Sequence, residues 1–260
     1  PYHWLKINYL DRENELNLKH WHFTLDDNPN LDPAYVEALK KEYTGLWYKR
    51  FIQGLWVQAE GAVYDMWDES KHVVSKVPHP HDCDRLIAGG DYGTSNPTTM
   101  QLIGRHGGRW YVLREYYFDS KKAGHQKTDA QYADDVEAWL GDVRDRVTIY
   151  LDPAAASFIL QLRSRGLHVI EADNAVLDGI QLISRLLADD KLFVHESCIH
   201  LRREFASYVW DQKAQQRGED KPLKKNDHAL DAVRYALYTH LQNPPMDEEV
   251  RRLFKGVSMV

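Results

Sequence analysis

Cysteine is scarce: Cys83 and Cys198 are the two in 260 residues, far apart and outside any CxxC spacing. Neither a disulfide framework nor a zinc ribbon is indicated, and a reducing setting is the default for such a chain. No apolar run approaches the roughly 18 residues that span a bilayer, so no membrane partner is expected. Basic residues are not in excess, since 33 Lys and Arg stand against 39 Asp and Glu for a net charge of −6. That balance argues against a surface coated in phosphate-binding charge, while leaving room for a local basic groove beside an acidic site. Internal repeats and low-complexity segments are missing too. What is present, 43% hydrophobic and 28% charged residues, suits a globular chain with one sizeable domain, or one plus an appendage. The opening segment reads as mid-protein, so a fragment of a longer chain is expected.

The first 70 or so residues are rich in Trp and Tyr. Asp32 and Pro33 have the chemistry of an N-cap and first helical position for "PAYVEALKKEYTG", which Gly45 closes. The loop "SKVPHPHDCD" marks a boundary. After it, "RLIAGGDYG", "TTMQLIGRHG" and "RWYVLREYYFD" are successive strand-like runs separated by turn signals, which predicts an antiparallel meander. Helix and strand patterns then alternate through "DAQYADDVEAWLGD", "VTIYLDPA", "ASFILQLRSRG", "LHVIEAD", "AVLDGIQLISRLLADD" and "KLFVHE". The expectation is an α/β mixed sheet, a meander plus parallel strands, with helices on its faces and a mainly helical N-terminal extension.

Two acids close apolar strands. Asp91 ends "RLIAGGD" and Asp152 ends "VTIYLD". Each has a plain reading, Asp91 as a turn acid and Asp152 as an N-cap before Pro153. Taken together they gain another, because acids at the carboxyl ends of neighbouring strands repel unless a cation sits between them. The helix in "KKNDHALDAVRYALYTHL" supplies a third carboxylate, Asp231, with Asp227 and His228 on the same face. Hard oxygen donors without thiolate suit two Mg²⁺ or Mn²⁺ ions rather than structural zinc. Such a pair can activate water and stabilise the leaving oxygen in phosphodiester hydrolysis.

"GGDYGTSNPTTM", "IYLDPA" and "NDHALDAVRYAL" together resemble the nuclease domain of the large terminase subunit of tailed bacteriophages and prophages. The segment from "HFTLDDNPNLD" to "VYDMWD" resembles the stretch that joins the packaging ATPase to that nuclease. The likeness runs from about Trp21 to about Leu241. It implies an RNase H-like fold and a metal-dependent endonuclease that cuts concatemeric double-stranded DNA during genome packaging. The family's catalytic acids fall on Asp91, Asp152 and Asp231, its histidine falls on His228, and Asp227 matches either as an auxiliary metal ligand or as a residue supporting the ligands. The chain divides accordingly into a linker at 1–76, a nuclease domain at 77–243 and a tail at 244–260. Implied partners are DNA, the terminase small subunit, the portal and the ATPase domain of the same parent chain, and the implied setting is the host-cell cytoplasm. One departure stands out: the chain contains no G-x-x-x-x-G-K-[ST] loop, so it is not expected to hydrolyse ATP.

The stretch "SYVWDQKAQQRGEDKPLKKND" looks like the β-hairpin beside the family's active site, with "RGED" as its turn. Its Lys213, Arg217, Lys221, Lys224 and Lys225, with Arg202 and Arg203 upstream, form a candidate DNA track; the plainer reading is an exposed charged loop. Two rivals share parts of the pattern. An RNase H-like resolvase or transposase would use the same metals on different DNA. An actin- or sugar-kinase-like ATP-binding domain would use "DYGTSNPTTM" as a phosphate loop and leave Asp227 and Asp231 unexplained.

Overall fold

In the computed structural model, which describes residues 4–57, 59–93 and 96–242, the architecture is built on one mixed sheet. Its seven strands are β1 (Val73–Val74), β2 (Arg85–Asp91), β3 (Thr98–His106), β4 (Arg109–Phe118), β5 (Val147–Leu151), β6 (His168–Glu171) and β7 (Leu192–His195), in the order β1-β7-β4-β3-β2-β5-β6. The meander forms as expected: β2, β3 and β4 pair antiparallel. The β3–β4 turn is made by Gly107 and Gly108, both at positive φ (57° and 78°), the conformation that a tight hairpin turn demands. Parallel pairing joins β2 to β5, β5 to β6, β4 to β7 and β7 to β1. An antiparallel meander flanked by parallel strands is the RNase H-like arrangement.

Helices cover both faces, as the sequence pattern requires for a centre that is apolar on both sides. α1 (Pro33–Glu42) lies in the N-terminal extension, and Asp32 caps it by accepting from the Ala34 N–H at 2.8 Å. α2 (Asp129–Leu140) and α3 (Ala156–Ser164) pack one face through Tyr132, Val136, Phe158 and Leu162. The opposite face carries α4 (Val176–Ala188), α5 (Ile199–Ser207) and a long C-terminal helix running His228–Gln242. That helix is buried along nearly its whole length, with Ala229, Val233, Ala236 and Leu237 in the core. Trp47, Ala59, Val63 and Tyr64 from the N-terminal extension pack into the same cluster. Together with β1, they place residues ahead of position 77 inside the sheet and its core. No helix among the described residues is long and apolar enough to cross a membrane.

The hairpin expected between Ser207 and Asp227 forms at its base: around the Trp210–Pro222 antiparallel bridge, Asp211 N–H donates to the Lys221 carbonyl at 2.8 Å and Leu223 N–H to the Val209 carbonyl at 2.9 Å, whereas its tip is helical, α6 (Gln212–Gln216). Asp211 caps it by accepting from Lys213 N–H (2.8 Å) and Ala214 N–H (3.3 Å), and Gln-Lys-Ala-Gln-Gln has good helix propensity. The element is tied down by Gln215, which donates to the Ala59 carbonyl, and by Asp220, which pairs with Arg50. The tail at 244–260 lies outside the described residues.

We number the C-terminal helix α7. It lies against β2 at Gly89, where a Cβ would stand 1.8 Å from the Ala232 carbonyl oxygen. Gly89→Ala is expected to lower stability by about 3 kcal/mol, at the upper end of overpacking costs, measured as a fall in the urea midpoint; an unchanged midpoint would mean that the helix does not sit this close.

Candidate active site

The sheet register brings the first two acids together. Gly90 pairs with Leu151 on the parallel neighbour, so Asp91 and Asp152 are the next residues out of two adjacent strands, whose backbones are about 4.8 Å apart. Asp91 is half-buried, and its Oδ2 accepts from His228 Nδ1 at 2.7 Å. Because an ionised carboxylate only accepts, the imidazole proton of this bond is on Nδ1 and Nε2 is turned elsewhere. The bond to Asp91 holds His228 above the ordinary imidazole range, against the opposing effect of burial. Asp152 fills its plain role as well: Oδ1 caps the turn after β5 by accepting from Ala154 N–H at 2.8 Å. Its Oδ2 accepts from Asn174 Nδ2 at 3.2 Å.

The third acid is held from behind. Arg234 is 2% exposed and donates through Nη2 to Asp231 Oδ1 at 2.8 Å. Its Nη1 donates to the carbonyls of Asn174 and Ala175, both at 2.9 Å. Gly179 on α4 makes room for its stem, since a Cβ there would meet Arg234 Cγ at 2.5 Å. Asn174 therefore connects two acids, touching Asp152 with its side chain and, through Arg234, Asp231 with its backbone. Tyr235, on the next turn edge, has its hydroxyl pushed up by burial first and then by the charges of Asp231, Asp91 and Asp152.

Asp227 and Asp231 are each 5% exposed and four residues apart. Burial, and then Asp231, raise the Asp227 carboxyl above its usual range. Its Oδ2 is buried without a hydrogen-bond partner; the nearest compensating charge is Lys224 Nζ at 3.6 Å. The same ammonium stands 3.2 Å from Asp231 Oδ2. Carboxylate oxygens, one of them orphaned, and an imidazole form a donor set that fits a hard divalent cation. Among the described residues, however, no three His, Cys, Asp or Glu side chains close around one point that could hold an ion. Protein cations take those oxygens instead: His228 on Asp91, Arg234 and Lys224 on Asp231.

Glu204 belongs to this site although no sequence motif marks it. It is 4% exposed and accepts from the N–H groups of Ala229 (2.7 Å) and Leu230 (3.0 Å), the open donors at the start of α7. Burial pushes its carboxyl up to about 7 even so. A signal was present, because Glu204 lies on the apolar stripe of α5 between the buried Leu201 and Phe205. Arg234 was missed too, although it sits one turn beyond Asp231.

The candidate DNA residues differ in what they touch. Arg203, Lys213 and Lys225 are exposed and, among the described residues, are in no ion pair. Arg202 is clamped to Glu69 (2.8 Å), Arg217 and Lys221 face Glu219 (3.3 and 3.9 Å), and Lys224 faces the acids.

No protein-family profile matches the chain. Among curated proteins, the large terminase subunit of Escherichia phage T5 is 28% identical over 235 residues, covering 84% of this chain and 51% of that protein. Among solved structures, the large terminase of a thermophilic bacteriophage is 46% identical with a TM-score of 0.81, covering 93% of this chain and 59% of that one. The large terminase nuclease from thermophilic phage G20c shares the fold at 10% identity, with a TM-score of 0.53 over 72% of this chain and 99% of that one. A form of it with bound cobalt gives 0.50 over 67% and 95%. The chain thus spans about half the length of the curated relative it matches. The resemblance to large terminases extends over nearly the whole chain, and the fold is the one their nuclease domains share.

Two outcomes follow from this geometry. Arg234→Met is expected to cost about 3 kcal/mol or more in urea unfolding, because it leaves Asp231 buried without its partner; a near-neutral variant would show the pair to be dispensable. The folded-state pKa of Glu204 is raised from 4.5 to about 7, so the folded protein binds the extra proton and its stability falls as pH rises through that window. Comparing urea midpoints of wild type and Glu204→Gln at pH 4.5 and 7.5, wild type loses stability relative to the variant as pH rises. Parallel profiles would refute the assignment.

Proposed function

We propose that this chain is the nuclease part of a large terminase subunit: a divalent-metal-dependent endonuclease that cuts concatemeric double-stranded viral DNA during genome packaging. The observation that carries the reading is the placement of three acids on three elements packed against one another. Asp91 and Asp152 leave adjacent parallel strands, and Asp231 lies on a helix seated directly on β2 at Gly89, two residues before Asp91. Further support comes from what the related proteins are: a large terminase at 46% identity, and a terminase nuclease of the same fold with bound cobalt. The likeness to the former includes the N-terminal segment, which favours a terminase over a resolvase or transposase.

In this reading Asp91, Asp152, Asp231 and Asp227 hold two Mg²⁺ or Mn²⁺ ions. Such ions, when bound, lower the pKa of a water and balance charge on the leaving oxygen. The chain's own residues orient and charge the site. Arg234 fixes Asp231 through Oδ1 and leaves Oδ2 directed outward. Asn174 fixes Asp152. His228, held through Nδ1 by Asp91, presents Nε2 to the scissile phosphate as a hydrogen-bond donor. Lys213, Lys225 and Arg203 contact the DNA backbone, with Arg217, Lys221, Lys224 and Arg202 recruited when phosphate outcompetes their present partners. Sequence-independent contacts of this kind make binding strongly salt-dependent.

The 76/77 division remains our proposal for where linker function gives way to nuclease function, within one packed core. Without a phosphate-cradling loop, the chain does not turn over ATP. Partners in the packaging machine would be the terminase small subunit, the portal and the ATPase domain of the parent chain, in the host cytoplasm.

Digestion of supercoiled plasmid tests the reading. Nicking and linearisation are expected with Mn²⁺ or Mg²⁺, none with EDTA, and at least roughly a 100-fold loss in Asp91→Ala, the upper range for disturbing a metal's surroundings. Cleavage that survives both the chelator and the substitution would sink it. ATP turnover without nicking would favour the kinase-like alternative.

A further inference from the structure

We infer that Lys224 is a tethered counter-ion, which occupies the Asp227–Asp231 oxygens and must leave before a divalent cation can take them. The inference rests on the reading of those two acids as metal ligands and adds to it the residue that competes for the site.

Two carboxylates four residues apart, each 5% exposed, repel one another in a region of weak screening. Two cations offset that repulsion, and they are held very differently. Arg234 is enclosed and saturated: besides Asp231 it donates to the Asn174 and Ala175 carbonyls. Its departure would strand two acceptors and a buried charge. Lys224 has a side chain 65% exposed. It contacts Asp231 Oδ2 at 3.2 Å and stands 3.6 Å from Asp227 Oδ2, beyond hydrogen-bond distance. An ion pair made by a long, mostly solvated side chain contributes little, so this cation is exchangeable.

The orphaned atom makes the argument specific. Asp227 Oδ2 is buried and has no hydrogen-bond partner, so Lys224 neutralises the pair without completing it. Asp231 and Asp227 would hold a divalent ion that compensates the orphaned oxygen, and their carboxylates would have to give up the ammonium to do so. The exposed segment 223–226 that carries Lys224 lets it swing outward without disturbing α7.

Calorimetric titration of DNA-free protein with MnCl₂ distinguishes the outcomes. Lys224→Met is expected to bind Mn²⁺ about fivefold tighter than wild type, the equivalent of losing one weak ion-pair competitor. Mn²⁺ should likewise raise the melting temperature of the variant more than that of wild type. Equal or weaker Mn²⁺ binding by a folded Lys224→Met protein overturns the inference. Asp231→Asn is titrated alongside: abolished binding supports the ligand assignment, and unchanged binding overturns that assignment whatever Lys224 does. Lys224→Gln, which keeps a polar tip, covers the case in which the methionine variant fails to fold; it is expected to match the tighter binding, and wild-type affinity there counts against the inference.

Discussion

The candidate site depends on one buried guanidinium. Arg234 joins Asp231 to the backbone of Asn174, whose side chain in turn reaches Asp152. Without it, the helix acid would keep only the exposed Lys224 as a partner, and the loop after β6 would lose the donor for two carbonyls. Its seat exists because α4 has Gly179 where any other residue would collide with the arginine stem. A loop, a helix interior and the third acid are thus specified by a single side chain, which desolvation makes costly to remove.

Around that fixed contact the charges are graded by exposure. Glu204 and Arg234 are enclosed and act on the fold, one neutralising the open N–H groups of α7 and the other anchoring Asp231. Asp91, Asp152 and His228 are partly exposed and form the edge that a substrate could reach. Lys224 and the basic residues of the 202–225 region lie farthest out. This ordering follows from dielectric: charges kept in the interior must be matched permanently, whereas those in water can exchange partners.

Much of this was legible in the sequence. The meander, the parallel strands and the acids that end β2 and β5 could be read from apolar runs closed by aspartate, because strand burial leaves a plain periodic trace. Same-face placement of Asp227, His228 and Asp231 followed from helical spacing alone. Arg234 and Glu204 were not legible as functional, because their partners come from segments distant in sequence and nothing local announces a buried charge as matched. The helical tip of the 207–227 hairpin was missed for a different reason. "RGED" is a real turn signal, but Asp211 as a cap and a run of helix formers after it outweigh strand pairing there. Residues 45–67 were read as part of the linker; Trp47, Tyr64 and Trp67 among them pack into the core beside α7, a contact that no local pattern announces.

At Gly89 the C-terminal helix rests on the strand with no side chain between them. Elsewhere in the core, spacing between elements is set by the volumes of interdigitating side chains, and it drifts as those volumes change. Here the separation is set by backbone touching backbone, a hard stop that substitutions in the surrounding core cannot adjust. The register between Asp91 on the strand and Asp231 on the helix therefore behaves as a machined tolerance, fixed by main-chain contact rather than by the fit of neighbouring side chains.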